Sequence, residues 1–572
     1  MSAFRKRKRM HYGILFLCIL FLILGMLYAY YIFAGVTMTF KDLFLYKHSP
    51  KNSFTIKNAR PSSYSPQMNE GGPSLSGNYK KDLKTLKEEL SQGRNGDIKI
   101  RQFTIRISKR DVDATIFFTD GLVNKQIIND FILKPLMLTS REIEISSFRA
   151  IGEILLPQSE FKETNLLGEL TFDINFGSVI MLVDGAKSAF SLDVKGWQHR
   201  GVESPQTERV IRGPNDAFSE QLRENTALIR HLVRNKSLIS KEYKLGTISQ
   251  TPVSVMYIEN IVNPSLVEET LRRIESIDVD YIFAAAELEQ LIEEKSITTL
   301  PQFLSTERPD RASRALLDGR IVIIVDGSTC VLILPTTVFE LNESAEDNYL
   351  RFPYVNMIKL VRTLAFLLSL LLPGLYIAIV SFHAELLPTG ILMSIISSRE
   401  PVPFPSIVEI IIMEISLEII REAGIRVPEA SGSTLSIVGA LILGQAAVAA
   451  GIVSPILIIV VSITAIGSFA TPNYYLGLSA RLLRFVYIFL GAAAGFLGIT
   501  AGLFIQTLLW TDTKSMGVPM SSPFAPITKK GIPSSLFVPP IWQQEHRDDY
   551  INPRRKFRQA PLSRKWLGDY YE

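Results

Sequence analysis

Cysteine is nearly absent: two residues, Cys18 and Cys330, in a chain of 572. The first lies in a hydrophobic run and the second in a strand-like run, so neither implies a disulfide, and no Cys/His group has the spacing of a zinc site. The six histidines are scattered. Also missing are G-x-x-x-x-G-K-[ST], G-x-S-x-G, H-E-x-x-H and the EF-hand loop, so nothing points to an enzyme, a metal or a cofactor. Excess charge of one sign is equally scarce. A formal net charge of +5 makes no case for nucleic acid, and most of the basic excess sits at the two chain ends, where it would face a membrane surface or set topology.

What is present is long apolar runs and one α/β pattern. Arg5 to Arg9 precede an apolar run from Ile14 to Val36, too long for a signal-peptide core and without a clean cleavage site, which predicts an uncleaved anchor. Its basic flank keeps the N-terminus in the cytoplasm, although Lys41, Lys47, Lys51, Lys57 and Arg60 on the other side weaken that bias. Residues 47–96 turn to Ser, Pro, Asn, Gly and Lys and read as a polar linker. From 97 to 346 an internal echo is visible. Asp113–Met137 and Thr251–Ile277 each give a β-rich run, a polar turn and an amphipathic helix, predicting two related strand-turn-helix subdomains. Gly319–Pro335 places apolar strands on both sides of Asp326-Gly327, a hairpin signal, and such strands suggest a sheet buried on both faces. Asp216 to Val233 reads as a charged amphipathic helix. Its Arg223, Arg230 and Arg234 could grip an anionic ligand or an acidic neighbour, but intrahelical pairs such as Glu220 with Arg223 are the simpler expectation. Arg212, before Gly213-Pro214, reads as a structural clamp.

After Asn348 the chain becomes membrane-like. Apolar runs cover Leu360–Val380, with a kink expected at Pro373, then Leu386–Ile396, Leu435–Ala450, Ile452–Ile466 and Phe485–Trp510. Gly491/Gly495 and Gly498/Gly502 are small-xxx-small pairs, suited either to packing within the chain or to a subunit interface. Among these runs lies Phe404–Pro428, apolar yet acidic. Ser406 with Glu409 three residues on forms a capping-box pattern, and Gly424 with Pro428 ends the helix, predicting about Ile407 to Ala423. At ~1.5 Å per residue that is ~25 Å, slightly short of a hydrocarbon core. Glu409 points away and reads as a cap. Glu414 and Glu418 share a face, with Arg421 one turn further on. An acid at the bilayer centre costs ~2.5–3.5 kcal/mol, so both must face protein or water. Two readings stay open: a Glu418–Arg421 pair that fixes packing, or a polar strip lining an ion path. Beyond Thr511 the tail is basic and Pro-rich, which predicts a disordered cytoplasmic segment against anionic headgroups.

Eight stretches in one order carry a resemblance: Ile211–Glu220, Asn225–Arg230, Thr306–Asp310, Leu317–Ser328 (with Asp318, Gly319, Arg320, Asp326 and Gly327), Ser381–Gly390, Arg421–Pro428, Ile437–Pro455 and Gly517–Pro526. Across about 97–530 the chain resembles the A subunit of the GerA family of spore germinant receptors. The resemblance implies an inner-spore-membrane complex with B-type and C-type subunits, a homo-oligomeric A subunit in contact with membrane lipids, no nucleic acid, and a soluble domain and tail in the cytoplasm. The Arg5–Val36 anchor departs from the family pattern, as does Thr329, where many members have proline.

The expected fold class is an α/β soluble domain followed by an α-helical polytopic membrane domain. The expected division is a basic N-terminus and anchor (1–46), a linker (47–96), the soluble domain (97–346), transmembrane helices (347–512) and a tail (513–572). The expected function is nutrient-triggered germination through a cation-conducting or signal-transducing subunit. The alternatives are a stage V sporulation paralogue assisting dipicolinate or ion release and a non-conducting scaffold.

Overall fold

A computed structural model describes residues 56, 74–90, 93–107, 110–138, 161–196, 204–426, 442–528 and 537–559. The expected anchor at 14–36 lies outside them. The α/β region consists of two five-stranded antiparallel sheets built to one plan. In the first, α1 (Tyr79–Glu89) precedes β1 (Ile98–Ile107) and β2 (Arg110–Thr119). A helical stretch α2 (125–138, with a π-helical middle Ile128–Leu133), β3 (Phe161–Thr164), α3 (Leu167–Asn175), β4 (Ser178–Val183) and β5 (Ala189–Asp193) complete it. In the second, α4 (Leu222–Leu232) leads to β6 (Leu238–Leu245) and β7 (Thr251–Ile258). Then come α5 (Pro264–Glu275), α6 (Ala285–Ile292), β8 (Leu304–Thr306), α7 (Pro309–Asp318), β9 (Ile321–Val325), β10 (Val331–Leu334) and the short α8 (Val338–Leu341).

The strand orders are β1-β2-β4-β5-β3 and β6-β7-β9-β10-β8, so the echo in the sequence is a repeated topology. Both sheets are covered on both faces, as the near-continuous apolar strands require. Ile128, Ile132 and Leu136 of α2 pack with Ile116 and Met181 on one side of the first sheet, while Leu86, Leu170 and Ile174 meet Phe117 and Ile180 on the other.

The polar stretch expected as a linker holds α1. Asn78 caps it through Lys81 N–H, and Leu86 and Leu90 lie in the first core. Only one side of α1 is apolar, so its Lys- and Glu-rich composition hides it. Helix α4 starts at Leu222 rather than Asp216, because Ser219 N–H bonds to the Asn225 side chain at 2.7 Å and holds the preceding chain extended.

Among the described residues, two helices are long and apolar enough to cross a membrane, α9 (Phe352–Phe382) and α13 (Tyr474–Asp512). Between them lie α10 (Thr389–Arg399), α11 (Ser406–Arg426) and the shorter apolar α12 (Pro455–Phe469). Of the expected run Leu435–Ala450, residues 442–449 are helical and 435–441 lie outside the described residues. Helix α9 runs through Pro373, where Gly374 meets Gly491 of α13: a Cβ on Gly491 would stand 2.5 Å from the Gly374 carbonyl oxygen. Helix α13 breaks at Ala494 and Gly495, where Gly495 takes φ +59° beside Phe382 and His383. Gly498 and Gly502 close on Leu490 and Tyr487 across that break.

The tail is not a solvated chain over 537–559. Lys514–Ser515 and Val518–Pro519 form a small ladder beyond α13, Met516 and Met520 are fully buried, and Ile551 completes the core of the second sheet. The basic tail residues find protein acceptors: Arg547 Nε donates to the Leu317 carbonyl at 2.6 Å, and Arg558 pairs with Asp318. Net positive charge signalled a headgroup surface, but the docking partners lie more than two hundred positions upstream, beyond the reach of local composition.

Candidate functional site: an ionic network between the helices

Helix α11 carries three acids whose carboxylates reach neighbouring helices. Glu409 and Glu414 are buried, at 1 % and 3 % exposure, while Ile415 and Ile419 of the same helix are exposed. Glu409 accepts the Ser454 N–H at 3.1 Å, at the N-terminus of α12, and lies 3.5 Å from Arg399 of α10. Its carboxylate therefore serves the end of a neighbouring helix, where unpaired N–H groups favour an anion. Ser406, the first residue of α11, is buried.

One turn apart, Glu414 and Glu418 both face α13. Arg484 Nη1 donates to Glu414 Oε2 at 2.6 Å, and its Nε donates to the Ser369 carbonyl of α9 at 2.7 Å. Side chains of this pair are 4 % and 2 % exposed. Arg481 Nη1 donates to Glu418 Oε1 at 2.8 Å, and Arg421 Nη1 to Glu418 Oε2 at 3.0 Å. Arg421 Nη2 also reaches Ser468 Oγ of α12 at 3.0 Å. Four helices thus meet on two carboxylates and three guanidinium groups.

The inner pair is only half satisfied. Glu414 Oε1, Arg484 Nη2 and the nearby Ser369 Oγ are buried and have no hydrogen-bond partner among the described residues. Buried ion pairs repay their desolvation only when the remaining donors and acceptors are filled, so this pair is a costly contact, and a change of partner there carries a large energetic effect. Glu418 is about two-fifths exposed and contributes less.

The spacing of Glu414 and Glu418 marks their shared face in the sequence; their α13 partners were the part not read. In the sequence Arg481 and Arg484 stand just before the apolar run Phe485–Trp510, as residues flanking a span do, yet their own three-residue spacing matches the two acids four apart on α11.

The residues singled out in the soluble domain have structural partners of their own. Asp326 Oδ1 accepts the Leu222 N–H at 2.9 Å and so caps α4 from the β9–β10 turn, while Gly327 N–H bonds to the Glu220 carbonyl at 2.7 Å. Asp318, Gly319 and Arg320 receive the tail. The α4 arginines bind acids from elsewhere: Arg223 pairs with Glu242, and the fully buried Arg230 with Asp97, with Asn175 at 3.1 Å. The expected intrahelical pairs lose to these long-range partners. Arg212 is exposed and makes no ion pair among the described residues. The clamp of its loop is instead the buried Arg308, whose Nη2 holds the Pro214 carbonyl at 2.7 Å. Gly213 packs on Tyr349.

The described residues hold no group of three or more His, Cys, Asp or Glu side chains placed to bind a metal. The family model for Bacillus/Clostridium GerA spore germination protein matches residues 84–550. The chain is 38% identical over 490 residues to spore germination protein KA of Bacillus subtilis, covering 85% of this chain and 89% of that one. It is 31% identical over 488 residues to stage V sporulation protein AF of the same organism, covering 85% and 97%. The crystal structure of the N-terminal domain of the A subunit of the Bacillus megaterium spore germinant receptor GerK3 aligns with a TM-score of 0.36 and 27% identity, over 46% of this chain and 97% of that one. On the match across 84–550 and these relatives, the chain belongs to the GerA family of spore germination proteins.

Proposed function

We propose that this chain is the A subunit of a nutrient-germinant receptor, acting with B-type and C-type subunits in the inner spore membrane, its soluble domain and tail on the cytoplasmic side. The higher identity to spore germination protein KA than to stage V sporulation protein AF, 38% against 31%, favours this reading over the paralogue. Several copies surround a cation path. Glu414 and Glu418 are held by Arg484, Arg481 and Arg421 at rest and turn to the path when a partner subunit binds nutrient. The observation that carries this is the half-satisfied Glu414–Arg484 pair, whose alternative arrangements are closer in energy than those of a fully satisfied one.

The test is cation flux from nutrient-challenged spores carrying Glu414→Gln with Glu418→Gln, with immunoblots of all three subunits. Altered or lost flux at normal subunit levels supports the network as part of the path. Unchanged flux returns both acids to packing and leaves the scaffold reading standing. Deleting the gene separates receptor from paralogue: loss of the response to one nutrient class alone fits the receptor.

A further inference from the structure

We propose that the tail segment 537–543 lies in the headgroup region of the bilayer beside the start of α9, a membrane contact separate from the spanning helices, with Phe537, Ile541 and Trp542 as its anchors. The inference rests on the reading of α9 as a membrane span and goes beyond it. Helix α9 has 31 residues, about 46 Å at ~1.5 Å per residue, against a hydrocarbon core of ~30 Å. About ten of its residues therefore lie outside that core. They are the first ones, because Lys359 and Arg362 are paired with Glu343 and Asp347 of the soluble domain.

These first turns have two faces. Val355, Lys359, Arg362 and Phe366 are buried, whereas Tyr354, Met357, Val361, Leu364 and Leu368 are exposed. The exposed set recurs at three- and four-residue steps, so one apolar stripe runs from headgroup level into the core. Tyr354 stands at its upper end, and Tyr474 and Tyr475 are likewise exposed in the first turn of α13. Such amphipathic rings belong at the membrane surface.

Segment 537–543 is fastened at that level. Asn356 Nδ2 donates to the Val538 carbonyl at 3.2 Å, and its Oδ1 accepts the Val538 N–H at 2.7 Å. Gln559 Nε2 donates to the Ile541 carbonyl at 2.7 Å, which ties the segment to the docked part of the tail. Phe537 and Ile541 are nonetheless 64 % and 66 % exposed, and Trp542 is 37 % exposed. The basic Arg547 and Arg558 bind the soluble domain instead. An apolar cluster held beside the apolar stripe of a spanning helix has the bilayer interface as its matching surface, where such side chains bury about 5–10 Å into the boundary between headgroups and acyl chains.

The experiment uses the full-length protein in lipid nanodiscs, with Trp197→Phe, Trp510→Phe and Trp566→Phe leaving Trp542 as the one indole of the four. Its emission is compared between lipids brominated high on the acyl chain and lipids brominated near the chain end. A companion protein with Trp542→Phe added and Leu368→Trp as its one indole reports on α9. Expected is a greater loss of Trp542 emission to the shallow bromines, a greater loss in the companion to the deep ones, and relief of Trp542 quenching by Phe537→Asp with Ile541→Asp. Quenching of the α9 reporter alone, Trp542 quenching that is stronger from the deep bromines, or full Trp542 quenching in the Phe537→Asp, Ile541→Asp variant overturns the proposal and leaves α9 in the membrane. Absence of quenching in both reporters removes the membrane reading of α9 itself, and the proposal with it.

Discussion

Arg230 is, with Arg308, the largest fully buried side chain among the described residues. Its guanidinium is 1 % exposed and satisfied by Asp97, Asn175 and Asn95, so it joins α4 to the first subdomain. Arg230→Met strands the Asp97 carboxylate and is expected to cost about 3–5 kcal/mol, whereas adding Asp97→Leu should return much of that loss. Thermal melts of the four proteins of this cycle measure the difference. Glu289 behaves oppositely. Burial, with Glu293 nearby, pushes its carboxyl up to about 7, so its contribution to stability is present in acid and lost as pH rises through 7. Glu289→Gln should therefore leave stability unchanged at pH 4, below the ordinary glutamate value of about 4.3, and raise it by about 1–3 kcal/mol at pH 8. Melting at the two pH values decides it.

Among the elements, the crossing of α9 and α13 depends on backbones that touch. Gly491→Val would drive a side chain into the Gly374 carbonyl, and only separation of the two helices relieves it. Loss of subunit from the membrane fraction on immunoblots is the expected outcome. Gly495→Ala is strained by its backbone as well: at φ +59° and ψ −137°, a conformation open essentially to glycine, an alanine costs about 1–3 kcal/mol before its Cβ meets His383. The repeated sheets, the hairpin at Asp326-Gly327 and the shared face of Glu414 and Glu418 were legible in the sequence because each depends on residues a few positions apart. Helix α1, the partners of Arg223 and Arg230, and the docked tail were not. Their stabilising contacts join distant positions, as in Arg230 to Asp97 and Arg558 to Asp318, and periodicity carries no information about such pairs.

Across the whole molecule, soluble domain and helices share one core. The apolar cluster containing Met256, Val322 and Ile333 continues through Phe366 of α9 and Leu476 and Ala480 of α13. Polar contacts fix the same junction: Arg362 to Asp347 at 2.7 Å, Lys359 to Glu343 at 2.5 Å, and Lys295 to Asp512. A change in the angle of α9 is therefore expected to disturb the second sheet through these contacts. Asp347→Asn should loosen that joint; nutrient-triggered flux falling more than subunit level would show coupling rather than folding at fault.

Met516 and Ile551, both fully buried in the second sheet's core, have a consequence for how the protein is made. Strand β10, the last of that sheet, ends at Leu334, yet its core is completed by residues that follow α9 to α13 in the chain. Until those residues are made the sheet lacks part of its core, so folding of this domain is expected to finish only after α9 to α13 have been synthesised.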